Sequence, residues 1–173
     1  FFNQTQFPGL VTQNLHDLIN NLRNLMGTTE NGPEDRNMLL GKVAYLNNQG
    51  FQQNFTIKWI NPHATTSGNN AVITHNGVRL DLRVKNPDYQ DFNREMRNGE
   101  DVTVIIRNVT MGISHFMTGY AVNNISNANG NFNVSFMDPT TNSYTIAEMT
   151  PTGQIIVEGA SFNLVSMEAV SPR

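Results

Sequence analysis

Cysteine is missing from all 173 residues of the chain. That absence removes disulfides, thiolate metal sites and a cysteine nucleophile together. Charge is scarce as well: 14% of residues are Asp, Glu, Lys or Arg, the net charge is −3, and there are three lysines. No basic stripe is visible, which argues against nucleic acid as a partner. No apolar run approaches the roughly 18 to 20 residues of a membrane-spanning helix, so the chain reads as soluble and without a membrane span.

What fills the sequence instead is amide and hydroxyl. Asparagine alone is about one residue in seven. A surface solvated by Asn, Thr and Ser rather than by charge is expected of a secreted or extracellular protein. Asn-x-Ser/Thr triplets begin at Asn3, Asn54, Asn108, Asn124 and Asn133, and they matter only in a glycosylating host. The chain opens at FFNQTQFPG without a methionine, as a mature or excised form would. Its length suits one domain over residues 1–173, large enough to bury a continuous core.

The first third has helical periodicity. Leu15, Leu18, Ile19, Leu22, Leu25 and Met26 form one apolar stripe. A second helix is expected from Pro33 to near Gly50, with Leu39, Leu40, Val43, Ala44 and Leu46 inward. The period then changes to two. Phe55, Ile57 and Trp59 alternate with polar residues, and AVITHNGVRLDLRV reads as a hairpin turning at Asn76-Gly77. NPDYQDFNREMRNG reads as a third helix, capped by Asn86, opened by Pro87, buried through Tyr89, Phe92 and Met96, and closed by Asn98-Gly99. From residue 101 onward six strand-like segments are separated by turn clusters. Helices first and an antiparallel sheet last predict an α+β domain.

Two residues stand out for chemistry. His115 lies in the apolar run ISHFM, on one face with Ile113 and Met117, and Asp138 ends the run NFNVSFMD before Pro139. A histidine and a carboxylate on neighbouring strands usually serve a nucleophile. His63 and His75 have no acidic or cysteine partner in ligand spacing, so no metal or other cofactor is expected. His16 reads as a solvated helix residue and Trp59 as core.

The succession DYQDFNREMRNGEDVTVII, SHFMTGYAV and NFNVSFMDP resembles the C-terminal half of papain-like cysteine peptidases. The branch it is similar to holds the bacteriocin-leader-processing peptidases and their secreted bacterial relatives. The likeness covers residues 86–139, with a weaker echo in the closing MEAVSP. It implies a papain-like α+β fold, N-terminal helices packed on a C-terminal antiparallel sheet or half-barrel. It also implies His115 as base, Asp138 as its orienting carboxylate, and a peptide cleft between the two halves. The nucleophile should open the first helix. QNLHDLINNLRNLMGT matches at Asn20, Leu22 and Leu25 and puts Gln13 where the cysteine belongs. Gln6 stands near the position of an oxyanion-stabilising glutamine, one residue off.

A glutamine amide offers no nucleophile comparable to a thiolate and no proton for His115 to remove. Thr12, Thr28 and Ser67 carry hydroxyls, but a threonine at a helix start is ordinarily a cap. The expectation is therefore a secreted, non-catalytic papain-like domain with a bulky Gln13 narrowing its cleft. It would bind a peptide or protein partner, or self-associate as a structural subunit. The alternative is a working hydrolase whose nucleophile lies outside this chain.

Overall fold

The computed structural model describes residues 21, 24–27, 35–64, 70–138 and 143–173. Two helices and nine strands follow in the order α1 (Asp35–Asn48), β1 (Phe55–Ile60), β2 (Asn70–His75), β3 (Val78–Arg83), α2 (Tyr89–Arg97), β4 (Asp101–Asn108), β5 (Ile113–Ser126), β6 (Phe132–Asp138), β7 (Ser143–Met149), β8 (Gln154–Val157) and β9 (Ala160–Pro172). Residues 21, 24 and 25 are helical, Met26 already lies in a turn, and the rest of the expected first helix lies outside the described residues.

The expected α+β architecture, N-terminal helices packed on a C-terminal sheet, is corrected. Among the described residues the protein is mostly β, 53% strand against 19% helix. Among the described residues the strands are preceded by α1 and the helical residues 21, 24 and 25, and α2 is inserted between β3 and β4. The strands also run further than alternation suggests. β5 continues to Ser126, which pairs with Phe132, and β9 begins at Ala160, which pairs with Val157.

The chain divides into two compact units that interleave in sequence. One comprises residues 1–57, 72–81 and 171–173. Its α1 buries Met38, Leu39, Val43, Tyr45 and Leu46, while Leu40 and Ala44 are half-buried. Phe55, Ile57, Val78 and Leu80 are buried too. The Asn76-Gly77 turn has φ of 47° and 81°, the paired positive values of a type I′ hairpin.

The other unit comprises residues 58–71 and 82–170. Its strands hydrogen-bond in the order β9-β4-β5-β6-β7-β8, and β8 pairs back onto β9. Every pair is antiparallel. The result is a closed ring of six strands rather than a half-barrel. Its inward side chains, among them Val104, Met117, Val134, Phe136, Ala147 and Met167, form one core. Helix α2 packs into that core through Tyr89 and Phe92, as the sequence predicts. Tyr89 stacks on Phe132 with ring centroids 3.6 Å apart. Gly119 of β5 lets the helix approach, for a Cβ there would meet Met96 Sδ at 2.6 Å.

Helix α2 starts later than expected. Asp88, not Asn86, is its N-cap: Asp88 Oδ1 accepts from the Asp91 N–H, and Asp91 Oδ2 accepts from the Asp88 N–H. This reciprocal capping box outcompetes a start at Pro87. Asp91 and Glu95, both buried, also anchor the helix by charge. Asp91 meets Lys85 at 2.6 Å and Arg94 at 3.0 Å, and Glu95 meets Lys58 and Arg94 at 2.8 Å each.

Partial burial works to raise the Asp88 pKa, but the Asp91 N–H and the Lys85 ammonium outweigh it and hold the carboxyl below its ordinary value. Desolvation likewise works to lower Lys85, and the hydrogen bond and charge of Asp91 overcome it, leaving the ammonium above its ordinary value. Asp88 therefore adds stability that is present above an unfolded pKa of about 3.9 and lost as pH falls through its folded value. Lys85 adds stability that is complete below about 10.4 and lost as pH rises through its folded value. Asp88→Ala should cost about 1 kcal/mol in urea unfolding at neutral pH. The loss should shrink toward pH 2. A loss that stays constant down to that pH would contradict the charge contribution.

Candidate functional site

His115 and Asp138 are brought together in the six-stranded unit. In the β4–β5 register Ile106 faces His115 and Val104 faces Met117. In the β5–β6 register Thr118 faces Met137 and Gly119 faces Phe136. His115, Met117 and Gly119 thus share the inward face with Val134, Phe136 and Asp138. Met117 and Phe136 lie in the core, and the two polar residues lie one pleat further along, where the ring meets solvent.

His115 Nε2 lies 2.9 Å from Asp138 Oδ2, with the side chains 30% and 15% exposed. The approach is close but poorly aimed. Nε2 is itself buried and meets no acceptor along its N–H direction. The pair has the separation of an ion pair without the alignment of a strong hydrogen bond. Because Nε2 faces the carboxylate, Nδ1 is the nitrogen left to exchange a proton with a third group. That division of roles is what a base–carboxylate pair needs. On the far side of Asp138, Ser143 of β7 is its cross-strand partner.

Gln13, at the expected nucleophile position, lies outside the described residues, as do Gln6, Thr12, His16, Thr28 and Ser67. Of the other described histidines, His63 follows β1 in a turn and His75 ends β2. No group of three or more metal-ligating side chains occurs among the described residues. Trp59 is buried as expected, and it is also a polar anchor. Its Nε1 donates to Ser166 Oγ at 3.1 Å, and Asn61 Nδ2 donates to the same oxygen at 3.2 Å. His63 N–H donates in turn to Asn61 Oδ1.

Two neighbourhoods were not anticipated from sequence, Ser143 opposite Asp138 and the Trp59–Ser166–Asn61 cluster. Each joins residues whose meeting depends on strand register. Alternation gives the face of a residue but not its neighbour on the next strand.

The β4–β5 hairpin beside the pair carries exposed apolar side chains, Val109, Met111 and Ile113. Asn108 folds its tip by accepting from the Met111 N–H at 2.9 Å. Among the described residues no helix is long and apolar enough to cross a membrane. Comparison of the chain with models of protein families, with curated proteins and with solved structures finds no match.

Proposed function

We propose that His115 and Asp138 are the base and carboxylate of a cysteine-peptidase-type site that has lost its thiol, in a secreted relative of the papain-like peptidases that binds a peptide or protein without cleaving it. One observation carries the reading: a histidine and a carboxylate 2.9 Å apart on adjacent strands, in a chain without cysteine. The motif order across residues 86–139 supports the kinship, and the amide-rich, lysine-poor composition supports a place outside the cell. Within the six-stranded ring each strand has a hydrogen-bonded neighbour on both sides, so the ring that carries the pair offers no free edge for assembly, while β2 stays an edge of the described sheet.

Restoring the thiol tests the kinship. Gln13→Cys should create a cysteine that iodoacetamide alkylates rapidly at pH 6, since a neighbouring imidazolium lowers a thiol pKa from about 8.5 toward roughly 3.5–7.5. Adding His115→Ala should return the rate to that of an ordinary thiol. An ordinary rate in the single variant counts against the assignment. Absence of catalysis is tested on the unmodified chain with quenched fluorogenic peptides. Turnover that disappears in His115→Ala would establish a working hydrolase with a different nucleophile.

A further inference from the structure

The outward face of β5, β6 and β7 lies on the opposite side of these strands from His115 and Asp138. Tyr120 and Tyr144 meet there with ring centroids 4.4 Å apart and planes at 48°. Each is 56% exposed, and Ile146, two residues along from Tyr144, is 75% exposed. Ile146 is the cross-strand partner of Ser135, which in turn pairs with Ala121.

Beside this apolar strip the sheet opens. Val122 pairs with Val134 and Ser126 with Phe132, so four steps along β5 correspond to two along β6. The surplus chain is held out by side-chain bonds. Asn123 Oδ1 accepts from the Ile125 N–H at 3.0 Å, and the Asn123 carbonyl accepts from the Tyr89 hydroxyl at 2.9 Å. An open recess of about 390 Å³ results, lined by Ala121, Val122, Asn123, Asn124, Ile125, Asn133 and Ser135. That volume is at the low end of ligand sites, roughly 300–1,000 Å³. None of the seven lining residues is charged. Glu148, cross-strand from Asn133, has a carboxylate oxygen that accepts from Asn131 Nδ2 at 2.9 Å.

Exposed aromatic rings next to neutral amides and a hydroxyl select a particular chemistry. A pyranose presents an apolar C–H face that packs on an aromatic ring, and hydroxyls that both donate and accept. It brings no charge, which suits a recess with nothing to neutralise one. We propose that this face binds a neutral oligosaccharide, one ring seated on Tyr120 and Tyr144 and the next held in the recess by Asn124, Asn133 and Ser135. The site is separate from the His115–Asp138 pair and does not depend on its function.

The test uses the full chain made in a non-glycosylating host, because Asn124 and Asn133 each begin an Asn-x-Ser triplet. Amide NMR spectra are recorded with cellotetraose, chitotetraose and mannotetraose at about 10 mM, an excess over a roughly millimolar Kd. At least one probe should shift the signals of Tyr120, Ala121, Asn124, Asn133, Ser135 and Tyr144. Tyr144→Ala and Asn133→Ala should each weaken that binding about tenfold, as loss of a central contact does, while Tyr144→Phe keeps the ring and most of the affinity. Both alanine changes are at exposed positions, and unchanged core signals show that the fold persists. The proposal fails if no probe shifts this set, or if the shifts survive both alanine variants. Slowed tumbling that Tyr144→Ala reverses would also overturn it, by showing that the face pairs with a second copy.

Discussion

Phe92→Ala should lower the unfolding free energy by about 3–5 kcal/mol, the cost of emptying an aromatic site in a packed core. Phe92 is wholly buried, in the cluster of inward strand residues, with its ring 5.4 Å from that of Phe136. It also lies against Gly119, where a Cβ would approach Phe92 Cε2 to 3.0 Å. That contact is backbone against ring, so the sheet cannot collapse into the space left behind. Helix α2 would keep its Asp88 cap and its ion pairs while losing the side chain that seats it. Urea unfolding should show a much lower midpoint with little change in slope. Tyr120→Ala, an exposed aromatic on the same unit, should stay within about 0.5 kcal/mol. A loss for Phe92→Ala below about 1 kcal/mol would mean that α2 is not seated through this ring.

Gly153→Ala should be nearly as damaging for a different reason. Gly153 sits in the β7–β8 turn at φ +88°, with its N–H donating to the Thr150 carbonyl at 3.0 Å. A Cβ there would lie 2.6 Å from the Pro87 carbonyl oxygen and 3.3 Å from Asp88 Cα. The turn thus abuts the segment that starts α2, and Tyr89 N–H reaches the Pro151 carbonyl at 3.4 Å. Backbone strain contributes about 1–3 kcal/mol. Displacing Pro87 contributes about 1–3 kcal/mol more. Gly130→Ala separates the two effects. Gly130 has φ +80° with nothing within 4 Å of a Cβ, so it should show the strain alone. Equal losses in the two variants would mean that the turn and the start of the helix do not touch.

Much of the six-stranded unit could be read from the sequence because its strands alternate. Segments β4 to β9 were all expected, and so was the buried stripe Tyr89–Phe92–Met96. The pairing of His115 with Asp138 followed from the order of motifs. What alternation could not supply was register. Counting twos from Met117 and Gly119 turns Val122 to solvent. The bulge between Gly119 and Ala121 brings it back opposite Val134, packed against the core. The closure of β9 onto β4 was equally hidden, because nothing local marks which distant strand will take a long strand's other edge. The mistaken cap at Asn86 has a local cause. Asn-Pro is an acceptable helix start, and only the reciprocal bonds of Asp88 and Asp91 move it two residues on. The proposed nucleophile position, Gln13, is outside the described residues, so that half of the site rests on resemblance.

Ring closure also governs the route to the native state. Five of the six pairings in the ring join strands adjacent in sequence, which can form as local hairpins. The sixth joins Asp101 to Val170 and Ile106 to Leu164, at opposite ends of the unit. That seam closes a loop of about 70 residues, whose entropy must be spent before any of its hydrogen bonds form. Folding of the unit should therefore be slow, in the millisecond-to-second range of non-local β topologies. Substitutions along β4 and β9 should slow it more than equally destabilising ones in the β5–β6 hairpin.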